Sequence, residues 1–356
     1  MTFENLFNSE PFSLSKSEKE AFFDVHLNEL TELHYDKCVP YASILKAMDQ
    51  KPGKPTPFRE LPFLPVRLFK DNDFYSVAED QLIKKMTSSG TSNQGVSKIH
   101  LDKETSRDQT RALVKIMSSV LGKQRLPMLI VDTPSVLRDR NSFSARGAGI
   151  LGFSMFGSKK MYALDDQMQL KIDEVLSFLD HHKGKPIFVF GFTFVIYKYL
   201  VKALQDKGMS LDLEDGVLVH GGGWKKLINE AVTNSDFKDL IEQTTGIQSV
   251  HDYYGMVEQT GSINLECEEG YLHTSNFSEI VIRDPFDFSV MPFGEEGIVQ
   301  TLSVLPKSYP GHSLLTEDLG TVHGFDDCKC GRKGTYFTIS GRLKKAEIRG
   351  CSNVIS

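Results

Sequence analysis

Apolar residues along this chain follow two textures in alternation. In residues 106–121, 166–178, 193–207 and 236–244 they recur at helical spacing, whereas residues 128–131, 187–190 and 217–219 are short apolar runs. The alternation predicts strands separated by amphipathic helices, a sheet with helices packed on its faces. The first fifty residues read as helical, with Phe22, Phe23, Leu27, Leu30 and Leu33 near helical spacing. Pro52, Pro55, Pro57 and Pro62 crowd residues 51–64, which should form an extended connection. Beyond about residue 262 the texture turns to β-rich pieces such as 279–283 and 297–304. The expected organisation is a helical leader (1–50), a main α/β domain with a β-rich subregion (51–342) and a tail (343–356).

The most apolar stretch is 186–201 (PIFVFGFTFVIYKYLV), which Gly191 and Lys198 interrupt. It falls short of the ~20 residues that a spanning helix needs, so no membrane span is expected. It reads as a buried strand leading into a helix with Thr193 as its N-cap. The N-terminus, MTFENLFNSEPF, has neither the basic start nor the apolar core of a signal peptide. With 41 Lys+Arg against 47 Asp+Glu, the formal net charge is −6. This mild acidity argues against nucleic acid or an anionic membrane as the main partner. Five cysteines, an odd number in 356 residues, disfavour a disulfide framework and point to a reducing compartment, the cytoplasm.

Candidate chemistry begins at KMTSSGTSNQGVSK, residues 85–98. Small and hydroxylated residues run from Thr87 to Ser92 around Gly90, offering N–H and hydroxyl donors that can wrap an oligophosphate. The spacing is not G-x-x-x-x-G-K-[ST], and a polar surface turn would have the same composition. Four further motifs follow in order: HGGGWK (220–225), YYGMVEQTG (253–261), TEDLG (316–320) and Gly341-Arg342. Together they resemble the adenylate-forming superfamily of acyl-CoA synthetases, adenylation domains and luciferases. The resemblance implies that Ser88, Ser89, Gly90 and Thr91 hold the phosphates of ATP and that Gly221, Gly222 and Gly223 border the adenine. It places Tyr254 and Gly255 in the segment that supplies an aromatic to the base, Glu258 toward magnesium, Asp318 on the ribose hydroxyls and Arg342 on the nucleotide. These types suit the roles: a carboxylate is a hard oxygen ligand for Mg²⁺, and two hydroxyls can donate to one carboxylate.

Three segments narrow the match. PFLPVRLFK (62–70), MLIVDTPSVLRDR (128–140) and FSARGAGILGF (143–153) are similar to the LuxE-type acyl-protein synthetases of bacterial bioluminescence operons, with phenylacetate-CoA ligases as the nearest other relatives by motif. That resemblance implies activation of a long-chain fatty acid to acyl-AMP, transfer to the enzyme's own cysteine, and delivery to a partner acyl-reductase subunit that makes aldehyde. Two other readings stay open: an acyl- or aryl-CoA ligase of the phenylacetate-CoA ligase type, and a non-catalytic ATP-binding scaffold subunit. Homo- or hetero-oligomerisation is open as well. Thr91 is followed by Ser92-Asn93-Gln94-Gly95 rather than the superfamily's Pro-Lys continuation, and Lys98 lies about two places late, so it receives no phosphate role. The sequence stops fourteen residues after Arg342, where acyl-CoA ligases carry a small C-terminal domain with a catalytic lysine; that domain is expected to be absent.

Cys351 stands among Lys344, Lys345 and Arg349, cations that favour the nucleophilic thiolate. Its position matches the acyl-carrying cysteine of the LuxE type, which makes it the expected nucleophile; an inert tail thiol is the alternative. Cys267 with His273 (C-x₅-H) and Cys328 with Cys330 (C-x-C) supply four candidate ligands for a structural zinc, with His323 as a spare. Free thiols are the alternative there. Cys38 should be a small buried hydrophobe. Trp224 either walls a pocket or sits in the core, and His251 either faces the acyl carboxylate or belongs to the scaffold. The Phe-rich segments 143–156 and 186–197 are candidates for an acyl tunnel or for core.

Overall fold

Continuous apolar runs become strands buried on both faces, and that is where the fold begins. The computed structural model describes residues 1–87, 96–137 and 145–343. Along the chain the strands are β1 (Leu64–Pro65), β2 (Leu82–Thr87), β3 (Lys98–Asp102), β4 (Leu126–Val131), β5 (Gly157–Tyr162), β6 (Phe188–Phe192) and β7 (Val217–Gly221). They continue as β8 (Ser249–Tyr254), β9 (Asn264–Glu266), β10 (Leu272–His273), β11 (Ser278–Arg283), β12 (Glu296–Ser303), β13 (Ser313–Phe325) and β14 (Thr335–Arg342). The main sheet runs β11-β12-β13-β14-β10-β9-β8-β7-β6-β4-β5, with β1 added to β13, while β2 and β3 form a separate hairpin. Strands β4 to β8 are parallel. From β8–β9 onward each path neighbour is antiparallel.

Alternate residues of the parallel strands feed two apolar layers. Met128, Ile130, Phe188, Phe190 and Val219 face one layer with the helix Lys103–Leu121, and Leu129, Val131, Val189 and Leu218 face the other. The second layer is closed by the helices Ile172–His181 and Asn234–Thr245 and by the helical stretch from Thr193 to Asp206. The predicted α/β architecture with a β-rich C-terminal portion is thus the observed one. Among the described residues, no helix is long and apolar enough to cross a membrane.

Local departures have identifiable causes. The helix expected over 166–178 begins only at Ile172, because the Asp165 carboxylate accepts the N–H groups of Gln167 (2.9 Å) and Gln169 (2.8 Å) and folds those residues into a turn. Thr193 is not the N-cap. Phe192 occupies that position without a side-chain cap, and the Thr193 hydroxyl is spent on His220 Nδ1 (3.0 Å) and the Gly221 carbonyl (3.2 Å). The following helix also relaxes into a π turn over Tyr197–Val201. The proline-rich connection holds one 3₁₀ turn, Phe58–Glu60, whose entry is pinned by Asp24 accepting from Phe58 N–H at 2.7 Å.

The helix Lys16–Lys37 opens on a Ser15/Glu18 capping box. It buries Phe22, Phe23, Leu27 and Leu30, while Leu33 is left exposed at the margin. Its apolar face joins the cluster that contains Phe277, Val281 and Leu302 of the β-rich portion. A fully buried ion pair, Lys19 to Glu279 at 3.4 Å, crosses the same contact.

Further along this helix His34 lies completely buried, with Nε2 donating to the Pro306 carbonyl (3.2 Å), Nδ1 beside Ser76 Oγ (2.7 Å), and its ring 5.0 Å from that of His312. Burial holds the His34 pKa down to about 3 and that of His312 well below the ordinary value. Below the unfolded-state pKa of about 6.5, the unfolded chain binds protons that the folded chain refuses, so stability falls as pH drops from there toward about 3. Each histidine contributes at most about 1.4 kcal/mol per pH unit in that window. The urea midpoint should therefore be lower at about pH 5 than at about pH 7, with a shallower slope in His34→Gln. An unchanged slope in that variant would remove His34 from the account.

Candidate functional site

The strands β6, β7 and β8 end side by side at Phe192, Gly221 and Tyr254, where the sheet changes from parallel to antiparallel. In open α/β sheets the crevice beyond such carboxyl ends is where ligands bind. The triple glycine makes close packing there attainable. A Cβ on Gly221 would lie 2.7 Å from the Tyr253 ring, and one on Gly222, at φ +79°, would lie 2.4 Å from Phe192. Tyr253 points into the core against Phe153 (ring centroids 4.8 Å) and Phe190 (6.4 Å). Tyr254, on the opposite face of β8, is the one that meets the candidate site.

The Tyr254 hydroxyl donates to Asp318 Oδ2 at 2.9 Å, and Arg342 Nε donates to Asp318 Oδ1 at 2.8 Å. Asp318 and Arg342 lie 24 positions apart in sequence yet directly opposite in the β13–β14 register. The Asp318 side chain is 14% exposed and that of Arg342 75%, so the carboxylate is held from behind while the guanidinium reaches solvent. Burial and the neighbouring Asp318 carboxylate push the Tyr254 phenol well above its ordinary pKa, keeping it a neutral donor.

Glu258 follows in the one-turn helix Val257–Gln259 and is buried. Three contacts fix this turn. Tyr309 donates to the Glu258 carbonyl at 2.9 Å and receives Gln109 Nε2 at 3.1 Å. Gln259 Nε2 reaches the carbonyls of Thr301 (3.1 Å) and Gly311 (2.8 Å). Gly261, at φ +88°, presses so close to Gln109 that a Cβ would sit 2.4 Å from its carbonyl oxygen. Burial pushes the Glu258 carboxyl pKa up, and the Ser97 hydroxyl, hydrogen-bonded to it, pulls the other way. Ser97 stands next to Lys98, which pairs with Thr87 across the β2–β3 hairpin. The base of the Ser/Thr/Gly loop therefore adjoins Glu258.

Ser88, Ser89, Gly90 and Thr91 lie outside the described residues, and so does Cys351. Lys98 is described, and its ammonium turns to Asp73 at 3.4 Å. A buried, hydroxyl-assisted carboxylate with no ion-pair partner among the described residues suits Mg²⁺, which takes one or two protein carboxylates and completes its sphere with water and phosphate.

Cys267, His273, Cys328 and Cys330 converge, with all four ligand atoms within 4.8 Å of one another. Cys267 Sγ and Cys328 Sγ are 3.9 Å apart, and Cys330 Sγ and His273 Nε2 are 3.4 Å apart. A tetrahedral zinc with ordinary Zn–S and Zn–N bonds would separate two sulfurs by about 3.8 Å and a sulfur from a nitrogen by about 3.6 Å. The cluster fits. β9 and β10 bring Cys267 and His273 together, and the turn between β13 and β14 carries the two remaining thiols. His323 stays apart, hydrogen-bonded to Thr338 Oγ1 at 2.8 Å.

The other candidates resolve to scaffold. His251 is buried between the Glu266 carbonyl (2.9 Å) and Ser249 Oγ (3.0 Å). Trp224 packs on Tyr197 and Phe237, Cys38 is 1% exposed, and Phe153, Phe188 and Phe190 are core. Glu266, which no sequence motif marks, is buried on β9, accepts from the Asp252 backbone N–H (2.9 Å) and pairs with Lys238 (3.1 Å), tying β8 to the helix Asn234–Thr245. A glutamate alternating with apolar residues in INLEC gave no local sign of it.

A family model described as acyl-protein synthetase, LuxE, matches residues 2–356. The long-chain-fatty-acid–luciferin-component ligase of Vibrio harveyi is 23% identical over 303 residues, covering 82% of this chain and 76% of that protein. Its counterpart from Aliivibrio fischeri is 22% identical over 359 residues, covering 98% and 91%. Among solved structures, an open conformation of 2-hydroxyisobutyryl-CoA ligase in complex with 2-HIB-AMP and CoA aligns with a TM-score of 0.71 at 17% identity, over 96% of this chain and 79% of that one. The same ligase in its thioesterification state gives 0.73 at 16% identity, over 94% and 70%. The fold is that of the adenylate-forming ligases.

Proposed function

The chain belongs to the LuxE family of acyl-protein synthetases, a family of ligases, and on that premise we propose that it activates a long-chain fatty acid with ATP and carries the acyl group on Cys351 to a partner acyl reductase. Its relatives in Vibrio harveyi and Aliivibrio fischeri, both long-chain-fatty-acid–luciferin-component ligases, support a long-chain fatty acid as substrate. The observation that carries the nucleotide assignment is the Tyr254–Asp318–Arg342 chain at the end of β8, with Glu258 beside the base of the Ser/Thr/Gly loop.

In this reading Asp318 accepts the two ribose hydroxyls, Arg342 adds positive charge at the nucleotide, and Tyr254 locks the Asp318 carboxylate while facing the base. Ser88, Ser89, Gly90 and Thr91 donate to the phosphates, and Glu258 would hold magnesium, which when bound neutralises phosphate charge. A fatty-acid carboxylate oxygen attacks the α-phosphorus, the bond to the bridging oxygen breaks, and pyrophosphate departs with that oxygen. Catalysis is positioning together with charge stabilisation. The Cys351 thiolate then attacks the acyl carbon, and AMP leaves with the electron pair of the broken anhydride bond. Fatty-acid-dependent exchange of pyrophosphate into ATP tests the first half: exchange supports activation, and none with any chain length tried would favour a scaffold subunit. Free acyl-CoA on adding coenzyme A would favour a CoA ligase instead.

The reading includes a structural zinc on Cys267, His273, Cys328 and Cys330, four protein ligands leaving no open position and so a clamp rather than a reaction centre. Purified protein should retain about one equivalent of zinc after exhaustive dialysis, and Cys328→Ser should lose it and melt about 5–10 °C lower. Less than about a tenth of an equivalent would overturn the assignment.

A further inference from the structure

The segment PVRLFK, residues 65–70, carries a motif that the roles above leave unused. Its position is set by the nucleotide strand. β1 runs parallel to β13 with Leu64 beside Leu314 and Pro65 beside Leu315, and the Val66 N–H donates to the Leu315 carbonyl at 2.9 Å. Thr316 and Asp318 follow directly on β13. The chain then makes the short helical turn Leu68–Asp71, whose Phe69 is fully buried with its ring 4.8 Å from Phe74 and 6.2 Å from Tyr309. Tyr309 is the residue that holds the Glu258 carbonyl. The turn is thus packed between the nucleotide strand and the glutamate loop, and Lys70 sits on it.

Lys70 is half-buried, its backbone N–H donates to the Arg67 carbonyl at 3.0 Å, and its ammonium has no hydrogen-bond or ion-pair partner among the described residues. Its positive charge, like that of Arg342, acts to lower the Glu258 carboxyl pKa against the larger effect of burial. The lysines flanking the Ser/Thr/Gly loop are otherwise engaged: Lys85 lies 3.9 Å and Lys98 3.4 Å from the Asp73 carboxylate, which His100 also contacts at 2.8 Å. A compact ammonium kept from full hydration, on a turn packed against the loop of a metal-type carboxylate, is a point-charge anchor for phosphate oxygens.

We propose that Lys70 is the phosphate-facing cation of this site, lying against the β- and γ-phosphates of ATP and stabilising the departing pyrophosphate. The inference rests on the reading that ATP is the substrate. The Lys70 charge offsets the negative charge that grows on the leaving oxygen as the α-phosphorus bond breaks.

The test uses the full chain and fatty-acid-dependent ATP–pyrophosphate exchange. Lys70→Gln should lower kcat/KM for ATP by about 10- to 100-fold, with Lys70→Arg recovering part of it. Binding of a non-hydrolysable acyl-adenylate mimic, an acyl sulfamoyl adenosine, should stay within about twofold, because that ligand has no pyrophosphate to lose. Lys98→Gln should also stay within about twofold. Wild-type exchange rates in Lys70→Gln, an equal loss of affinity for the adenylate mimic, or the main loss falling on Lys98→Gln would each overturn the assignment. A wild-type protein silent with every fatty acid would overturn the ATP reading itself and this assignment with it, whereas an active wild type confines any failure to Lys70.

Discussion

Replacing Cys351 by serine is expected to abolish the hydroxylamine-labile acyl-protein while leaving acyl-AMP formation intact. A thiolate attacks a mixed anhydride readily, whereas a serine hydroxyl without an adjacent base remains protonated and weakly nucleophilic. Lys344, Lys345 and Arg349 surround the cysteine in sequence and favour its thiolate. The last described residue, Leu343, donates its N–H to the Glu317 carbonyl at 2.9 Å, which roots the tail beside Asp318. Cys351 lies eight positions further along, a reach of at most about 29 Å, enough to bring sulfur to an adenylate bound at Asp318. Incubation with radioactive fatty acid and ATP, followed by denaturing gel and hydroxylamine, reads the result. A labile acyl-enzyme persisting in Cys351→Ser would transfer the nucleophile's role to another thiol.

Glu258→Gln should cut fatty-acid-dependent pyrophosphate exchange by about 10³-fold, near 4 kcal/mol in the barrier, without unfolding the protein. The amide keeps the shape and can still meet the Ser97 hydroxyl, but it is a poor ligand for a hard divalent cation. Stability should hold or rise. Burial raises the folded-state pKa of Glu258 above its unfolded value, so over the pH range between the two the folded chain binds the extra proton, and the group's contribution to stability is lost as pH rises through the folded value. At neutral pH the buried carboxylate is therefore a burden that glutamine lifts. Equal thermal midpoints with lost exchange would separate the chemical role from a structural one. Exchange within about threefold of wild type would remove the metal-ligand role.

Several parts of this molecule were readable because they are recorded locally. Burial on both faces of β4, β6 and β7 writes itself as uninterrupted apolar runs, and the helices between them as 3.6-residue periodicity. Cysteine and histidine are few enough that a C-x₅-H beside a C-x-C could be picked out as a ligand set before any distance was known. Where side chains compete for backbone groups the pattern misled. Residues 166–171 carry helical spacing, yet the Asp165 carboxylate captures their N–H groups, and Thr193 looks like a cap, yet its hydroxyl turns to His220.

The sequence by itself determined the α/β class, the order of the motifs and the residue types available for phosphate, metal and thiol chemistry, since each depends on near neighbours in the chain. Only the tertiary structure decided which of those residues meet. Asp318 faces Arg342 because β13 and β14 pair in one register rather than the next, and four ligands converge because two distant turns close on the same point. The turn that carries Lys70 lies against the glutamate loop because β1 lies along β13 and Phe69 packs on Tyr309. Register and packing are non-local: burial across the whole sheet sets them, and no window of sequence contains them.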